Sequence, residues 1–324
     1  MQYRIETEVV SMEFLGLGAF QIDHGDTQMR FTPIHNYDEL YVRTHFDVRS
    51  QILEPYPTTG TVVAIMEALD ANAALGTVKE LLFDLEHLLS LAHYHHVFFT
   101  ALRCYEVDCK NVTAATVYPT RPGRAGRGCL LWSRKIPEFL QAALPRLEQV
   151  AGFRWALYWF NEMTIFSKLI VAQLEIPSLW VALEVMASSR AATLEKDQLL
   201  SDDQISTLKQ EIRPILKKMG LKAASRGQIY GHLPGLKHPV ICDLAQDLLN
   251  TYGFADHAEE IRTFYKVRND VVHGRNMELK EVDLRAKIIR FRRLLHKLLF
   301  SMAGVYGDPD TFRAPIRAPD LSAL

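Results

Sequence analysis

The sequence predicts an α+β protein in which a mixed module of strands and a helix precedes an all-helical domain. Residues 1–56 contain short apolar bursts separated by Gly and Asp, a pattern typical of strands and turns. Residues 78–92 change to an apolar repeat of three and four, which indicates an amphipathic helix. From Phe153 onward the helical period dominates. The strands are therefore expected before the helices.

Two further strands are predicted in the first half of the chain. Residues 41–48 alternate well enough to predict one strand, and Pro55 and Pro57 close that section. Residues 97–107 are rich in aromatic and branched side chains, which favours a strand packed on the helix at 78–92.

A chain of 324 residues, of which 48% are hydrophobic, can bury two cores of ordinary size. Pro137 predicts the start of a helix that ends just before Ala151 and Gly152. We place the domain boundary there, with an N-terminal α+β domain at 1–150 and a helical domain at 151–324. No long linker separates them, so the two halves are expected to pack against each other.

Six helices are predicted in the second domain, the first from Phe153. Pro177 is expected to end this first helix, and Ser178 is a possible N-cap of the second. The run Ser-Asp-Asp-Gln at 201–204 predicts the start of the third. Residues 222–238, rich in Gly and Pro, predict a long loop that either borders a groove or is a surface excursion. The last three helices are predicted to begin at Pro239, Asp256 and Glu281.

Charge and cysteine content exclude several classes of protein. The formal net charge of −1 excludes a uniformly basic nucleic-acid coat, so any nucleic-acid contact must use a local patch. Without a signal peptide or a long apolar run, a cytoplasmic protein with no membrane contact is expected. The cysteines form no Cys-x-x-Cys pair, so neither disulfides nor zinc are indicated; they are Cys104, Cys109, Cys129 and Cys242.

Two other segments are candidate ligand sites. The histidines at 93, 95 and 96 form a dense cluster, but neighbouring residues of a strand point to opposite faces, which favours a polar strand entry over a metal site. No metal and no cofactor is therefore predicted. The basic, Gly-rich run at 121–128 fits no dinucleotide or phosphate-loop spacing; a solvated hairpin loop and a phosphate contact both remain open.

The strongest functional signal is Arg268-Asn269 followed by His273-Gly274, late in an amphipathic run. It combines a permanent cation, an amide and a side chain that titrates near neutrality. Residues five apart on a helix are separated by about 140° after one full turn, so Arg268 and His273 do not share a face. Asn269 and His273, four apart, do.

The pattern Arg-Asn-x-x-x-His-Gly at 268–274, followed by another long helix, resembles the Arg-x-x-x-x-His signature of HEPN domains. Upstream, Trp-Ala-Leu-Tyr-Trp-Phe at 155–160 and Trp-Val-Ala-Leu-Glu at 180–184 look like the first two helices of the Apea-like branch. The resemblance covers roughly 151–305. It implies a HEPN helical bundle that forms a homodimer, in which each copy contributes its Arg and His to one cleft.

The resemblance further implies a metal-independent endoribonuclease that cleaves RNA by attack of the ribose 2′-hydroxyl. His273 would transfer protons, Arg268 would bind the phosphate, and Asn269 would orient the phosphate or the imidazole. By analogy, the protein is expected to act in bacterial defence against phage, with the N-terminal domain sensing a phage or host trigger or restraining the nuclease. The alternative is a catalytically inactive HEPN scaffold that dimerises and binds RNA, a nucleotide or a protein partner. A purely structural explanation of Arg268 and His273 is that the arginine forms an ion pair with an acid while the histidine caps the helix C-terminus.

Weaker candidates for RNA contact lie on two other helices. The last helix carries a basic stripe that includes Arg285, Arg292 and Arg293, with no Asp or Glu from Arg285 until Asp308. Salt bridges to acids of neighbouring helices are the other explanation for these arginines. Glu184 on the second predicted helix is expected either to face the cleft or to pair with an arginine.

Overall fold

The computed structural model describes residues 1–10, 12, 14, 17–35, 58–93, 96–107, 111–116, 131, 133–166, 172–273 and 281–305. Within these residues, a sheet of seven strands precedes eight of the nine α-helices. The α+β class that the sequence predicts is therefore confirmed. The predicted strand at 41–48 and the basic run at 121–128 lie outside the described residues.

The sheet is antiparallel and is built around β1 (Gln2–Val10). This strand pairs with β4 (Thr58–Glu67) on one side and with β6 (Leu102–Glu106) on the other. Alternate side chains of β1 are buried, as expected for a strand with one face on the core. The single strand predicted at 97–107 is instead two short strands, because β5 (Phe98–Phe99) pairs with the end of β1 separately from β6.

A hairpin and one short strand complete the two edges of the sheet. β2 (Phe20–His24) and β3 (Thr27–Pro33) form the hairpin, which extends the sheet beyond β4. The rings of Phe20 and Phe31 stack across this hairpin with their centroids 4.8 Å apart, a cross-strand pair that stabilises the register. β7 (Ala114–Thr116) pairs with β6 at the other edge.

The predicted amphipathic helix is confirmed as α1 (Ala71–His93), which packs on the sheet. It begins earlier than its apolar repeat suggests, because a carboxylate oxygen of Asp70 accepts the backbone N–H of Ala73 at 2.8 Å. Five of its leucines are completely buried, and each contributes about 1.5–3 kcal/mol of hydrophobic free energy. They are Leu82, Leu85, Leu88, Leu89 and Leu91.

Two helices at the predicted domain boundary also pack on α1. The helix predicted at Pro137 is confirmed as α2 (Ile136–Gln149), with the proline in its first turn. Gly152, with φ of 78°, then turns the chain into α3 (Phe153–Asn161) through a left-handed conformation that favours glycine. Both α2 and α3 contact α1, and they contact each other.

The prediction that Pro177 separates two helices is wrong, because this proline lies inside α4 (Ala172–Thr193). Ser178 is consequently an interior residue rather than an N-cap. A proline inside a helix costs about 3 kcal/mol through its missing donor and ring clash. The neighbouring Leu179 and Trp180 are completely buried, and their packing offsets that cost. The first helix instead ends at Asn161, and a π-helical turn follows it at Glu162–Phe166.

By compactness the chain forms two units, and α4 contributes to both. Unit 1 comprises Met1–Ala182 and Glu278–Leu324, and unit 2 comprises Leu183–Met277. The boundary at 150/151 that we drew from the sequence lies within unit 1, where α2 and α3 join the sheet and α1.

The third predicted helix is confirmed as α5 (Asp202–Lys218), which begins unit 2 after α4. Its N-cap Ser201 and the side chain of Gln204 form a reciprocal capping box. The prediction of a long loop at 222–238 is wrong, because this segment folds as α6 (Ala223–His232) and a 3-10 turn, Leu233–Lys237. Its glycines adopt no left-handed backbone conformation, so each costs only about 1 kcal/mol of helix propensity.

Three helices follow close to their predicted starts. They are α7 (Ile241–Thr251), α8 (Ala258–Val272) and α9 (Glu281–Met302). In unit 2, α7 packs on α8. In unit 1, α9 packs on α3. A search of the described helices finds none whose length and apolarity would suffice to span a membrane.

Candidate functional site

The motif lies at the end of α8, and the buried face of that helix determines how it is presented. Ile261, Phe264 and Val267 are buried three residues apart along one side. Arg268 and Asn269 follow directly and are half-buried at the edge of this apolar face. The local sequence therefore holds the base of each side chain near the core while its polar end remains within reach of solvent.

Asn269 contacts both of the other motif residues. Its side-chain oxygen Oδ1 accepts a hydrogen bond of 2.9 Å from Nη1 of Arg268. Its backbone oxygen accepts the backbone N–H of His273 at 3.0 Å. The amide thus orients the guanidinium, whereas the sequence suggested that it would orient a phosphate or the imidazole. The contact with His273 is made by the backbone alone.

Arg268 has no ion pair with any acid of the described residues. Glu260, one of the acids that could have neutralised it, accepts a 2.7 Å contact from Nδ1 of His257 instead. Nε of Arg268 is buried and makes no hydrogen bond within the described part of the chain. The guanidinium is accordingly not neutralised by an acid of the described residues, and its buried Nε–H is an unsatisfied donor.

His273 is the C-terminal cap of α8 and is exposed to solvent. Its backbone, with φ of −93° and ψ of 5°, has left the helical conformation. The helix thus ends at the motif itself. In this position a protonated imidazole also interacts favourably with the negative end of the helix dipole.

Glu184, the weakest of the candidates, is half-buried on the unit 2 part of α4. Among the described residues, no hydrogen bond or ion pair joins its carboxylate to Arg268, Asn269 or His273. A role for Glu184 at the motif stays a prediction.

The three arginines of α9 have different environments. In Arg292, Nε donates to a carboxylate oxygen of Glu175 on α4, and both side chains are largely buried. For this arginine the structure thus shows the salt-bridge alternative, and the guanidinium is engaged within unit 1. Arg285 and Arg293 are exposed on the same helix. Their contact with RNA stays a prediction.

Sequence reasoning missed His296, which lies on α9. Burial, with a smaller effect from the Arg292 cation, lowers the pKa of this imidazole to about 3. The ring lies between Phe160, with centroids 4.5 Å apart, and Phe300, at 6.4 Å. The only feature of the sequence that could have identified this buried histidine is its position among the apolar residues of the last helix.

The described residues contain no group of three or more His, Cys, Asp or Glu side chains that could hold a metal ion. In the histidine cluster, Nδ1 of His93 contacts the backbone oxygen of Leu89 at 2.8 Å. Nε2 of His96 contacts a carboxylate oxygen of Glu86 at 2.9 Å. Both histidines thus have roles in the core of unit 1.

Comparison of the chain with protein-family models, curated proteins and solved structures finds no match. The chemistry of the motif must therefore be argued from its own residues. The HEPN assignment rests on the sequence resemblance alone.

Proposed function

We propose that the protein is a metal-independent endoribonuclease whose centre is formed by Arg268, Asn269 and His273. The observation that carries this proposal is the environment of Arg268, whose guanidinium has no acidic partner among the described residues and is held by the side chain of Asn269. An exposed imidazole, that of His273, follows four residues after Asn269 at the end of the same helix. Cleavage of a phosphodiester needs a cation for the phosphoryl oxygens and groups that transfer protons, and these residue types supply both.

The reaction assigns a separate task to each group. An imidazole removes the proton of the ribose 2′-hydroxyl, and the resulting oxygen attacks the adjacent phosphorus. The bond from phosphorus to the 5′-oxygen breaks, and a protonated imidazole donates a proton to that leaving oxygen. Arg268 stabilises the charge on the non-bridging oxygens. The products are a 2′,3′-cyclic phosphate and a free 5′-hydroxyl. DNA lacks the nucleophile, so the mechanism selects RNA.

A homodimer supplies what one copy lacks. The reaction uses a base and an acid at the same time, whereas one motif offers a single histidine. An isologous interface around a twofold axis would bring two copies of Arg268 and two of His273 to one cleft. One imidazole can then accept the proton of the 2′-hydroxyl while the other protonates the leaving oxygen.

The experiment is cleavage of a mixed RNA pool in excess chelator by the wild-type protein and by Arg268→Ala and His273→Ala. The proposal expects cyclic-phosphate ends from the wild type and a loss of at least about 100-fold in each variant, the usual contribution of general acid–base catalysis. Lys266→Ala, an exposed neighbour on α8, is the matched control and should retain activity. Metal-dependent cleavage, or cleavage that survives both substitutions, would refute the proposal.

The second candidate is a HEPN scaffold that dimerises and binds RNA, a nucleotide or a protein without cleaving it. It is favoured by the imidazole of His273, for which no side-chain hydrogen bond is present within the described residues to fix its orientation. Phage challenge of cells that express the protein separates the two candidates. A nuclease loses protection when His273 is replaced by alanine, whereas a scaffold keeps it.

A further inference from the structure

Positive charge is concentrated in one segment of unit 2 that the sequence reasoning left unassigned. No Asp or Glu occurs between Glu211 and Asp243, although the net charge of the whole chain is −1. Six cations lie in this interval: Arg213, Lys217, Lys218, Lys222, Arg226 and Lys237. The segment covers the second half of α5, all of α6 and the 3-10 turn.

Three of the four basic residues of α5 form a stripe along one side of the helix. Lys209, Arg213 and Lys217 are spaced four apart, so successive side chains are offset by about 6 Å along the axis and by about 40° around it. Arg213 and Lys217 are exposed and Lys209 is half-exposed. None of the three has an ion pair with an acid of the described residues. We call these three residues the α5 basic stripe.

Two more exposed cations, Lys218 and Lys222, flank the end of the α5 basic stripe. Lys237 differs from them, because its Nζ donates to Asp202 at 2.7 Å and lowers the pKa of that carboxyl. Arg226 is likewise engaged, since its Nη1 donates to the backbone oxygen of Leu221 at 2.7 Å. Of the six cations in the segment, the four without a hydrogen bond or ion pair to the described residues therefore lie on the stripe or beside it: Arg213, Lys217, Lys218 and Lys222.

The surroundings favour a phosphate backbone over a membrane as the partner. A helix that binds a membrane surface presents a broad apolar face between its cations. In α5 much of the apolar side is used by the fold, because Ile205 and Leu216 are buried, and only Ile215 and Met219 are strongly exposed. The adjoining α6 buries no residue and consists mainly of small and polar side chains. Such a surface attracts a polyanion by charge and offers little to lipid tails.

We propose that the α5 basic stripe, with Lys218 and Lys222, binds the phosphate backbone of RNA. The proposal rests on the proposed nuclease function and adds where unit 2, which also carries Arg268 and His273, holds its substrate. Contacts of this kind are independent of base sequence and strongly dependent on salt.

The test measures binding of a fluorescent single-stranded RNA at several salt concentrations, with the His273→Ala protein as the parent so that the RNA stays intact. The test variant adds Lys209→Gln, Arg213→Gln and Lys217→Gln. Each phosphate contact makes the slope of log affinity against log salt steeper by about 0.7, so loss of three contacts should make the slope shallower by about 2. At the lowest salt concentration the affinity should fall at least about 10-fold.

The matched control removes three exposed cations of unit 1 by the changes Arg30→Gln, Lys79→Gln and Arg134→Gln. It should keep the slope and affinity of the parent, and far-ultraviolet circular dichroism confirms that both triple variants are folded. An unchanged slope in the test variant overturns the inference. So does binding to phosphatidylserine vesicles that the test variant loses while its RNA binding persists.

Failure of the inference and failure of the proposed function give different results. If the protein with an intact motif cleaves RNA and the stripe substitutions leave both cleavage and the salt slope unchanged, only the stripe is excluded. If the parent binds no RNA and the protein with an intact motif cleaves none, both proposals fail.

Discussion

Units 1 and 2 differ in what their polar side chains do. In unit 1 polar groups are used by the fold: Arg292 pairs with Glu175, Arg154 pairs with Asp84 at 2.8 Å, and Nδ2 of Asn161 donates to the backbone oxygen of His87 at 2.7 Å. In unit 2 the principal polar features lie at the surface, on α5 and at the end of α8. The difference teaches that charge alone is a poor guide to a ligand site, and that the absence of an internal partner is a better one.

The comparison predicts its largest stability effect in the core of unit 1. Trp180 is completely buried and its ring stacks on Phe291 with centroids 6.3 Å apart. Trp180→Ala should lower the free energy of unfolding by about 3–5 kcal/mol, because it leaves a large cavity. Urea denaturation measures the change. Trp155, which is 63% exposed, is the control, and Trp155→Ala should cost about 1 kcal/mol or less.

The next largest effect is expected from the ion pair between Arg292 and Glu175. Arg292→Ala leaves a carboxylate that is 7% exposed without its partner and should cost about 3 kcal/mol. Arg293→Ala, an exposed neighbour, should change stability by about 0.5 kcal/mol or less. Equal losses in the two variants, measured by urea denaturation, would show that the distinction between engaged and available arginines is wrong.

Acid should destabilise the chain through His296. The unfolded chain takes up a proton at this imidazole near the ordinary pKa of about 6.5, whereas the folded protein does so only near pH 3. Between these values the unfolded state binds more protons, so stability falls as the pH falls, by up to about 1.4 kcal/mol per pH unit.

Replacing His296 with phenylalanine keeps an aromatic ring between Phe160 and Phe300 and removes this proton uptake. The loss of stability between pH 7 and pH 4.5, measured from urea midpoints, should therefore be smaller than in the wild type. His232→Gln, at an exposed position of α6, is the control and should leave the loss unchanged. An identical loss in His296→Phe would show that the imidazole titrates alike in both states.

The smallest stability effect is expected at the motif. His273 is exposed and its backbone makes the cap contact that any residue other than proline could make. His273→Ala should therefore shift the free energy of unfolding by about 0.5 kcal/mol or less while it removes RNA cleavage. Thermal unfolding and cleavage measured on the same sample separate a catalytic loss from a structural one. A loss of several kcal/mol would instead assign the histidine to the fold.

Local signals in the sequence predicted the structure well where they acted alone. The helix start at residues 201–204 and the apolar repeat of α1 depend only on neighbouring residues, and both predictions are confirmed. Pro177 was misleading because the burial of α4 depends on distant parts of the chain, which outweigh the local cost of a proline. The glycines of α6 were misleading in the same way, because they suggested a loop where the chain forms a helix.

In the candidate site, too, local features could be predicted from the sequence, whereas contacts between distant residues could not. The polar residues of the motif and the end of α8 at Val272 follow from local sequence, and the structure adds the hydrogen bond between Arg268 and Asn269. The partner of Arg292 could not be predicted, because Glu175 lies 117 residues away in sequence. A basic stripe read from sequence alone therefore cannot separate cations engaged in the fold from cations available to a ligand.

The most direct test of the central claim is a change to a single atom of the substrate. Once a cleaved position in an RNA oligonucleotide is mapped, the same oligonucleotide is made with a 2′-deoxyribose on the 5′ side of that phosphodiester and treated in excess chelator. The account predicts that cleavage at this bond stops while cleavage at other bonds continues. Continued cleavage at the modified bond would show that the 2′-hydroxyl is not the nucleophile and would contradict the roles given to Arg268 and His273.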